Sequence, residues 1–381
     1  MTDPLRILLL TAKLSPAAGG PAVSVPHMAH GIDPLDGIAV DVMGTLDPAD
    51  PEAAAAWGPR VHAFPVVAPA ALQRAPQMAP ALDRLAPDIV DVQGLWTWAS
   101  RVSYAHFRRH GRPYVVTPRG MLDPWARRNS RWKKRLFGAF VETTHLRHAH
   151  CLRATAEMEA QHLRELGLAA PIAIVPNGIT LPDLEPRPAN GRNRALFVSR
   201  LHPKKGIDHL LHAWAALEPR FPDWDLIIAG IDENGHEEEM KRLAARLGLR
   251  RVSFPGAVHG AEKERLFRSA DLFVLPTHAE NFGLVVAEAL AQEVPVITTR
   301  NAPWQGLVDH GAGWWIPLEQ AVLEATMGEA MARPAAELHA MGARGRAWMH
   351  RDFGWDRIAE QMRDVYLWAA NGGIPPETVH L

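Results

Sequence analysis

The stretch Asp271-Leu272-Phe273-Val274-Leu275-Pro276-Thr277-His278-Ala279-Glu280-Asn281-Phe282-Gly283-Leu284-Val285-Val286-Ala287-Glu288-Ala289-Leu290-Ala291 decides the fold. Four apolar residues between Asp271 and Pro276 read as a buried strand. A turn carries Glu280 and Gly283, and a helix begins near Gly283. Strand, turn and helix in this order form the unit of a parallel α/β sheet. Glu280 then stands on the loop. Glu288 stands about one and a half turns into the helix, at roughly 3.6 residues per turn. The backbone N–H groups between them suit a diphosphate, because a helix N-terminus favours anions. Spacing alone leaves a second reading open, a surface glutamate and a helix-face glutamate with no role.

A second segment supplies positive charge. Ala195-Leu196-Phe197-Val198-Ser199 reads as a buried strand that runs into Arg200-Leu201-His202-Pro203-Lys204-Lys205-Gly206 and a helix from near Ile207. Arg200 and Lys205 can converge at the strand's C-terminal end, where α/β folds place ligands. A planar guanidinium and a compact ammonium both stabilise a leaving diphosphate. Two solvated basic residues in a loop are the alternative. Taken together, Arg200, Lys205, Glu280 and Glu288 resemble the donor domain of the retaining GT4 glycosyltransferases, with their Glu-x7-Glu signature.

The resemblance covers nearly the whole chain and implies the GT-B fold, two doubly wound Rossmann-like α/β domains facing each other across a cleft. An acceptor-side domain is expected over residues 1–180 and a nucleotide-sugar donor domain over 190–355. A C-terminal helix within 356–381 is expected to cross back onto the first domain. The chain's own pattern agrees with two α/β halves. Strand-like runs lie near 6–11, 39–43, 61–64, 88–92, 113–117 and 150–153, then near 195–199, 225–229, 252–254, 271–275 and 294–298. Between them, after Val175-Pro176-Asn177-Gly178, an interval with Pro182, Pro186, Pro188 and Gly191 reads as a linker. Ile358, Met362, Val365, Tyr366 and Trp368 are spaced for one face of a final helix.

The resemblance also implies roles. Glu288 would bind the ribose hydroxyls, and Glu280 the hydroxyls of the donor sugar. Arg200 and Lys205 would neutralise the departing diphosphate. The backbone at Phe282, Gly283 and Leu284 would hold sugar or phosphates, and the turn with Gly256 and Val258 would clasp the base. In the first domain, Gly19 and Gly20 in the loop after the first strand would face the donor, as would Asn177. Many relatives have a histidine after Val116-Thr117-Pro118, where this chain has Arg119. Gln93, in Asp91-Val92-Gln93-Gly94-Leu95-Trp96, likewise stands where a histidine is common. These departures, with Ala302-Pro303-Trp304 and Gly313-Trp314-Trp315, narrow the resemblance to a branch of capsule, O-antigen and exopolysaccharide synthesis. Arg119 is expected either at a phosphate or sugar hydroxyl or in a structural ion pair. The implied donor is a UDP- or GDP-sugar and the acceptor a glycan or lipid-linked glycan, with no cofactor and no metal.

Composition sets bounds. With 381 residues and 47% hydrophobic content, the chain can build two cores. A formal net charge of -1 gives no reason to expect nucleic acid. The single cysteine, Cys151, excludes an internal disulfide and a cysteine-rich metal site. A cytoplasmic setting fits, since the apolar run at 7–10 is too short for a signal peptide and no stretch reaches the roughly 18 apolar residues of a membrane span. The basic run containing Arg131, Lys133, Lys134 and Arg135 reads either as a solvated helix face or as a peripheral contact with the inner membrane and a lipid-linked acceptor. Trp96 and Trp125 follow strand ends and could stack on acceptor sugars. Asp223-Trp224-Asp225 sits at the entry of a strand, the wrong end for a metal site. His145, His148 and His150 read as exposed helix-end histidines, with no carboxylate or thiolate partner except distant Glu142 and neighbouring Cys151. A nucleotide-sugar epimerase or hydrolase on the same fold, and a sugar-binding protein without turnover, stay open as other functions.

Overall fold

The computed structural model describes residues 3–15, 19–47, 52–58, 60–68, 70–125, 141–188 and 191–381. The chain divides into two compact units. One is Met1–Gly178 together with Trp355–Leu381, and the other is Ile179–Gly354.

The first unit is built on β1 (Leu5–Lys13), β2 (Ile38–Leu46), β3 (Val61–Pro65), β4 (Ile89–Gln93), β5 (Tyr114–Thr117), β6 (Cys151–Ala154) and β7 (Ile172–Ile174). The sheet order is β7-β6-β5-β4-β1-β2-β3, all parallel, and a terminal strand, Val379–His380, pairs antiparallel to β7. Helices α1 (Gly20–Ile32), α2 (Met78–Leu85), α3 (Trp98–His110) and α4 (Glu157–Glu165) connect the strands. Side chains alternate across a strand, so β1 feeds two cores. Ile7 and Leu9 join Val25, Met28 and Ile32 of α1 and Ile358, Met362 and Tyr366 of the C-terminal helix Trp355–Asn371. Leu8 and Leu10 join Leu82 of α2, Val102 of α3 and Leu163 of α4 on the opposite face.

The second unit carries β8 (Asn193–Val198), β9 (Trp224–Ala229), β10 (Val252–Gly256), β11 (Leu272–Leu275), β12 (Val296–Thr299) and β13 (Gly313–Ile316) in the order β10-β9-β8-β11-β12-β13, again parallel. Its helices include α5 (Ile207–Leu217), α6 (His236–Arg246), α7 (Gly260–Arg268) and α8 (Leu284–Ala291). One continuous core runs through both faces of this sheet, with Trp214 and Trp304 among its largest buried side chains. The sequence reading lacked β7, β13 and the terminal strand. β7 has three residues, and the tryptophans of β13 are only half-buried on a sheet edge, so neither shows a long apolar run.

Burial has a consequence for pH. It lowers the pKa of His27, His106, His150, His202 and His278 below the ordinary 6.5. A histidine depressed in the folded state binds protons better when unfolded. Its contribution to stability is full above pH 6.5 and is lost as the pH falls through the folded values. Asp91, raised by burial, acts in the opposite sense but is one group. The melting temperature should therefore fall between about pH 6.5 and about pH 5. A flat or rising melting temperature in that window would contradict the account.

Candidate active site

In the second unit the strand order reverses between β8 and β11, so the loops leaving their carboxyl ends diverge to opposite faces of the sheet. Ligands of open α/β sheets bind at such a point. Here the two loops are fastened together. His278 donates its backbone N–H to the Lys204 carbonyl at 2.8 Å, and Thr277 Oγ1 is 3.1 Å from the same oxygen. Gly206 has φ 68°, and a Cβ there would lie 2.0 Å from the Pro276 carbonyl oxygen, so only glycine permits this approach. The closure brings the Lys205 ammonium onto Glu280 Oε1, with the two side chains only 9% and 11% exposed. Glu280 is held in turn by its own N–H, which donates to the Asn301 carbonyl at 2.9 Å.

The turn that follows is anchored from below. The Phe282 ring packs on Trp304 and Phe353, at centroid distances of 5.2 and 5.9 Å, and its carbonyl accepts from Trp304 Nε1. Gly283 caps α8 with φ 78°, a left-handed conformation that strains any other residue. Leu284 opens α8, where the first N–H groups of a helix lack intrahelical partners, although the Val286 N–H turns back to the Gly283 carbonyl at 2.9 Å. Further along α8, both oxygens of Glu288 accept from Lys263 Nζ of α7, at 2.6 and 2.7 Å. Lys263 was absent from the sequence reading. It lies between Glu262 and Glu264 in a charged helix, and no local spacing ties it to Glu288. Gly256 ends β10 with φ 85° and accepts from the Gly230 N–H at 2.8 Å, while Val258 is buried just beyond.

Arg200 behaves differently from Lys205. Its side chain is 57% exposed and pairs with Glu233 at 3.0 Å. The expected convergence of Arg200 and Lys205 is thus replaced by two separate ion pairs, because each cation finds a carboxylate on its own side of the turn.

The first unit reverses its strand order between β1 and β4. Arg119 stands just past β5 with φ 58°. Its guanidinium donates through Nε and Nη2 to Gln93 Oε1, and through Nη1 to Ser24 Oγ and Asn177 Oδ1, both at 2.9 Å. All three direct partners are neutral, so the ion-pair alternative does not hold. Burial, then the nearby Arg153 charge, bring its pKa down to about 9. Glu159 steadies the turn by accepting the Gly120 N–H at 2.7 Å and the Thr155 N–H at 2.8 Å. Gly19 is the N-cap of α1, with φ 71°, and the Gly20 carbonyl accepts from Ser24 Oγ at 3.1 Å. Arg119, Ser24 and the glycine pair therefore form one hydrogen-bonded chain.

Trp96 also has a left-handed backbone, φ 64°, and its N–H donates to Glu142 Oε2 at 2.8 Å. Trp125 is half-buried at the edge of a described segment. Arg131, Lys133, Lys134 and Arg135 lie outside the described residues, as do residues 16–18 of the glycine loop. The histidine reading needs correction. His145 is fully buried, with Nδ1 2.9 Å from Glu142 Oε1 and its ring stacked on Tyr114 at 5.0 Å. Asp225 is taken by Arg192 in a two-oxygen ion pair at 2.8 and 2.9 Å. No helix among the described residues is long and apolar enough to cross a membrane.

Comparison with known proteins finds two families in tandem. Residues 19–178 match the glycosyl transferase 4-like domain, and residues 185–348 match glycosyl transferases group 1. Glycogen synthase from Mycobacterium tuberculosis is 32% identical over 216 residues, covering 55% of this chain and 51% of its own. The chain spans about half the length of the curated relatives it matches. Sucrose-phosphate synthase from Thermosynechococcus elongatus superposes with a TM-score of 0.76 at 20% identity, over 96% of this chain and 100% of its own. The Anabaena protein HepE, solved with UDP and glucose, gives 0.74 at 21% identity, over 94% and 98%. At such identities these structures establish the fold, the GT-B type with two parallel-sheet α/β domains.

Proposed function

Since the chain belongs to the GT4 glycosyltransferases, we propose that it moves a sugar from a nucleotide diphosphate sugar to a hydroxyl of a glycan or lipid-linked glycan. The anomeric configuration is retained and no catalytic metal is used. The observation that carries this reading is the nearly buried Lys205–Glu280 pair at the reversal of the second sheet, beside the N-terminus of α8. An ammonium and helix N–H groups in one place offer positive potential to a diphosphate without a metal. Glu280, held against Lys205, orients the sugar hydroxyls. Glu288, held by Lys263, receives the ribose. The UDP and glucose of HepE support a uridine nucleotide.

Catalysis follows from charge development. As the glycosidic bond breaks, negative charge grows on the diphosphate, and Lys205 stabilises it more in the transition state than in the ground state. Arg200 reaches the same diphosphate by exchanging Glu233 for phosphate oxygens. The leaving phosphate takes the acceptor proton on the same face. Within the first unit, Arg119 is held by Gln93, Ser24 and Asn177. The lone thiol, buried Cys151, fits a reducing cytoplasm.

Thermal shift with UDP, GDP and ADP tests the donor. A nucleotide at 100 times its Kd should stabilise the protein by about 2.7 kcal/mol. Glu288→Gln should weaken nucleotide binding by about 1.5–3 kcal/mol, roughly ten- to hundredfold in Kd, because a charge-assisted bond to ribose is lost. Lys263→Met separates the ribose role from the ion pair, since it leaves the carboxylate in place. Unchanged nucleotide affinity in Glu288→Gln would remove the ribose assignment.

A further inference from the structure

The first unit holds a second group of chemistry-bearing side chains that sugar transfer does not use. Asp83, in the last turn of α2, faces His106 and His110 in the last two turns of α3. The two histidines are four residues apart, so they share one helix face. His106 Nδ1 is 3.0 Å and His110 Nε2 3.2 Å from a single atom, Asp83 Oδ1. The imidazole centroids are 4.6 Å apart, and the three candidate ligand atoms all lie within 4.8 Å of one another. Around a tetrahedral ion bonded at about 2.0–2.1 Å, donor atoms stand about 3.3–3.4 Å apart. The two nitrogen–oxygen distances come close to that spacing.

Its surroundings favour ligation in two ways. Arg109 Nη1 donates to the other carboxylate oxygen, Asp83 Oδ2, at 2.5 Å. This fixes Oδ1 toward the imidazoles, as outer hydrogen bonds do for metal-bound carboxylates. His106 is 2% exposed and its Nε2 has no hydrogen-bond partner among the described residues, so the polar contacts of that ring are directed at this point.

We propose that Asp83, His106 and His110 bind one divalent transition-metal ion, zinc being the ion suited to two imidazoles and a carboxylate. Water completes the coordination. The ion clips the end of α2 to the end of α3. The site lies toward the far end of α3 from Trp98, about 12–18 Å along the helix at 1.5 Å per residue, so it serves stability and not sugar transfer.

The test uses the full chain, stripped of metal with EDTA and titrated with Co²⁺, then with Zn²⁺ in competition. Visible absorption of a tetrahedral Co²⁺ centre should saturate at one equivalent, and Zn²⁺ should displace it and raise the melting temperature. His110→Ala changes a side chain that is 44% exposed, so the fold survives, and it should weaken Co²⁺ binding by about 100-fold. Asp83→Asn should do the same. The other His/Asp grouping, Asp208, His209 and His278, provides the control, because His209 Nδ1 is engaged by Gln320 at 3.1 Å. His278→Gln should keep the absorption. Absence of Co²⁺ and Zn²⁺ binding by the parent at tens of micromolar, or equal binding by His110→Ala, overturns the proposal. These readouts do not depend on any transferase activity.

Discussion

Lys205→Met is expected to lower kcat by about 100-fold or more while changing nucleotide affinity much less. The side chain is only 9% exposed, so its charge acts on the diphosphate with little screening by water. Charge on the leaving group grows toward the transition state, which makes the loss fall mainly on rate. The variant also strands the Glu280 carboxylate, itself 11% exposed. Breaking a buried pair by removing one partner costs about 3–5 kcal/mol, so folding must be measured alongside rate. Lys205→Met with Glu280→Gln resolves the two effects. The double variant should regain stability but not turnover. Arg200→Ala should cost less, since its side chain is 57% exposed and its partner Glu233 is also open to solvent. A kcat within tenfold of the parent for a folded Lys205→Met protein would remove the diphosphate role.

The sequence disclosed the fold wherever burial on both faces produced a continuous apolar run. Leu272–Leu275 and Ile7-Leu8-Leu9-Leu10 are such runs, and both are central strands. It did not disclose β13, where Trp314 and Trp315 are edge residues that read equally as a loop motif. Turn residues were legible because their backbone demands are local. Gly206 and Gly283 are required by positive φ angles that any reader of a strand–turn–helix unit can anticipate. Long-range pairings were not legible. Lys205 and Glu280 were both named from their motifs, yet their mutual contact depends on two loops meeting across the strand-order reversal. Lys263 and the Asp83 cluster are held by helix-to-helix packing that no local periodicity records. Arg119 falls between these cases. Its departure from the family histidine was visible, as was Gln93, but Ser24 and Asn177 lie 95 and 58 residues away along the chain.

Arg153→Met is expected to destabilise the first unit by about 3–5 kcal/mol, the cost of breaking a buried charged network. Arg153 lies in β6, in Cys151-Leu152-Arg153-Ala154, and is 0% exposed. From sequence it passes for the solvent side of a strand. In the structure Nε donates to the Val175 carbonyl at 3.1 Å and Nη2 to the Pro176 carbonyl at 2.8 Å, while Nη1 rests 3.0 Å from Met28 Sδ. Burial depresses its pKa, and the Asp91 charge works against that depression. Asp91 is held by Thr117 and by Tyr366 of the C-terminal helix. Removing the guanidinium leaves two carbonyls without donors and Asp91 with only Arg119 as a nearby cation, and each unsatisfied group costs about 1–3 kcal/mol. Arg153→Lys should recover little, because a point charge cannot reproduce the fork that reaches both carbonyls. Val175 and Pro176 lead directly into Asn177, whose Oδ1 holds Arg119. Urea unfolding should therefore show a lower midpoint, and at temperatures where the variant is still folded Arg119 should lose its fixed orientation and turnover should fall with it. A midpoint shift worth less than about 1 kcal/mol would mean that the pocket around Arg153 satisfies those carbonyls by other means, and that Arg119 is positioned without it.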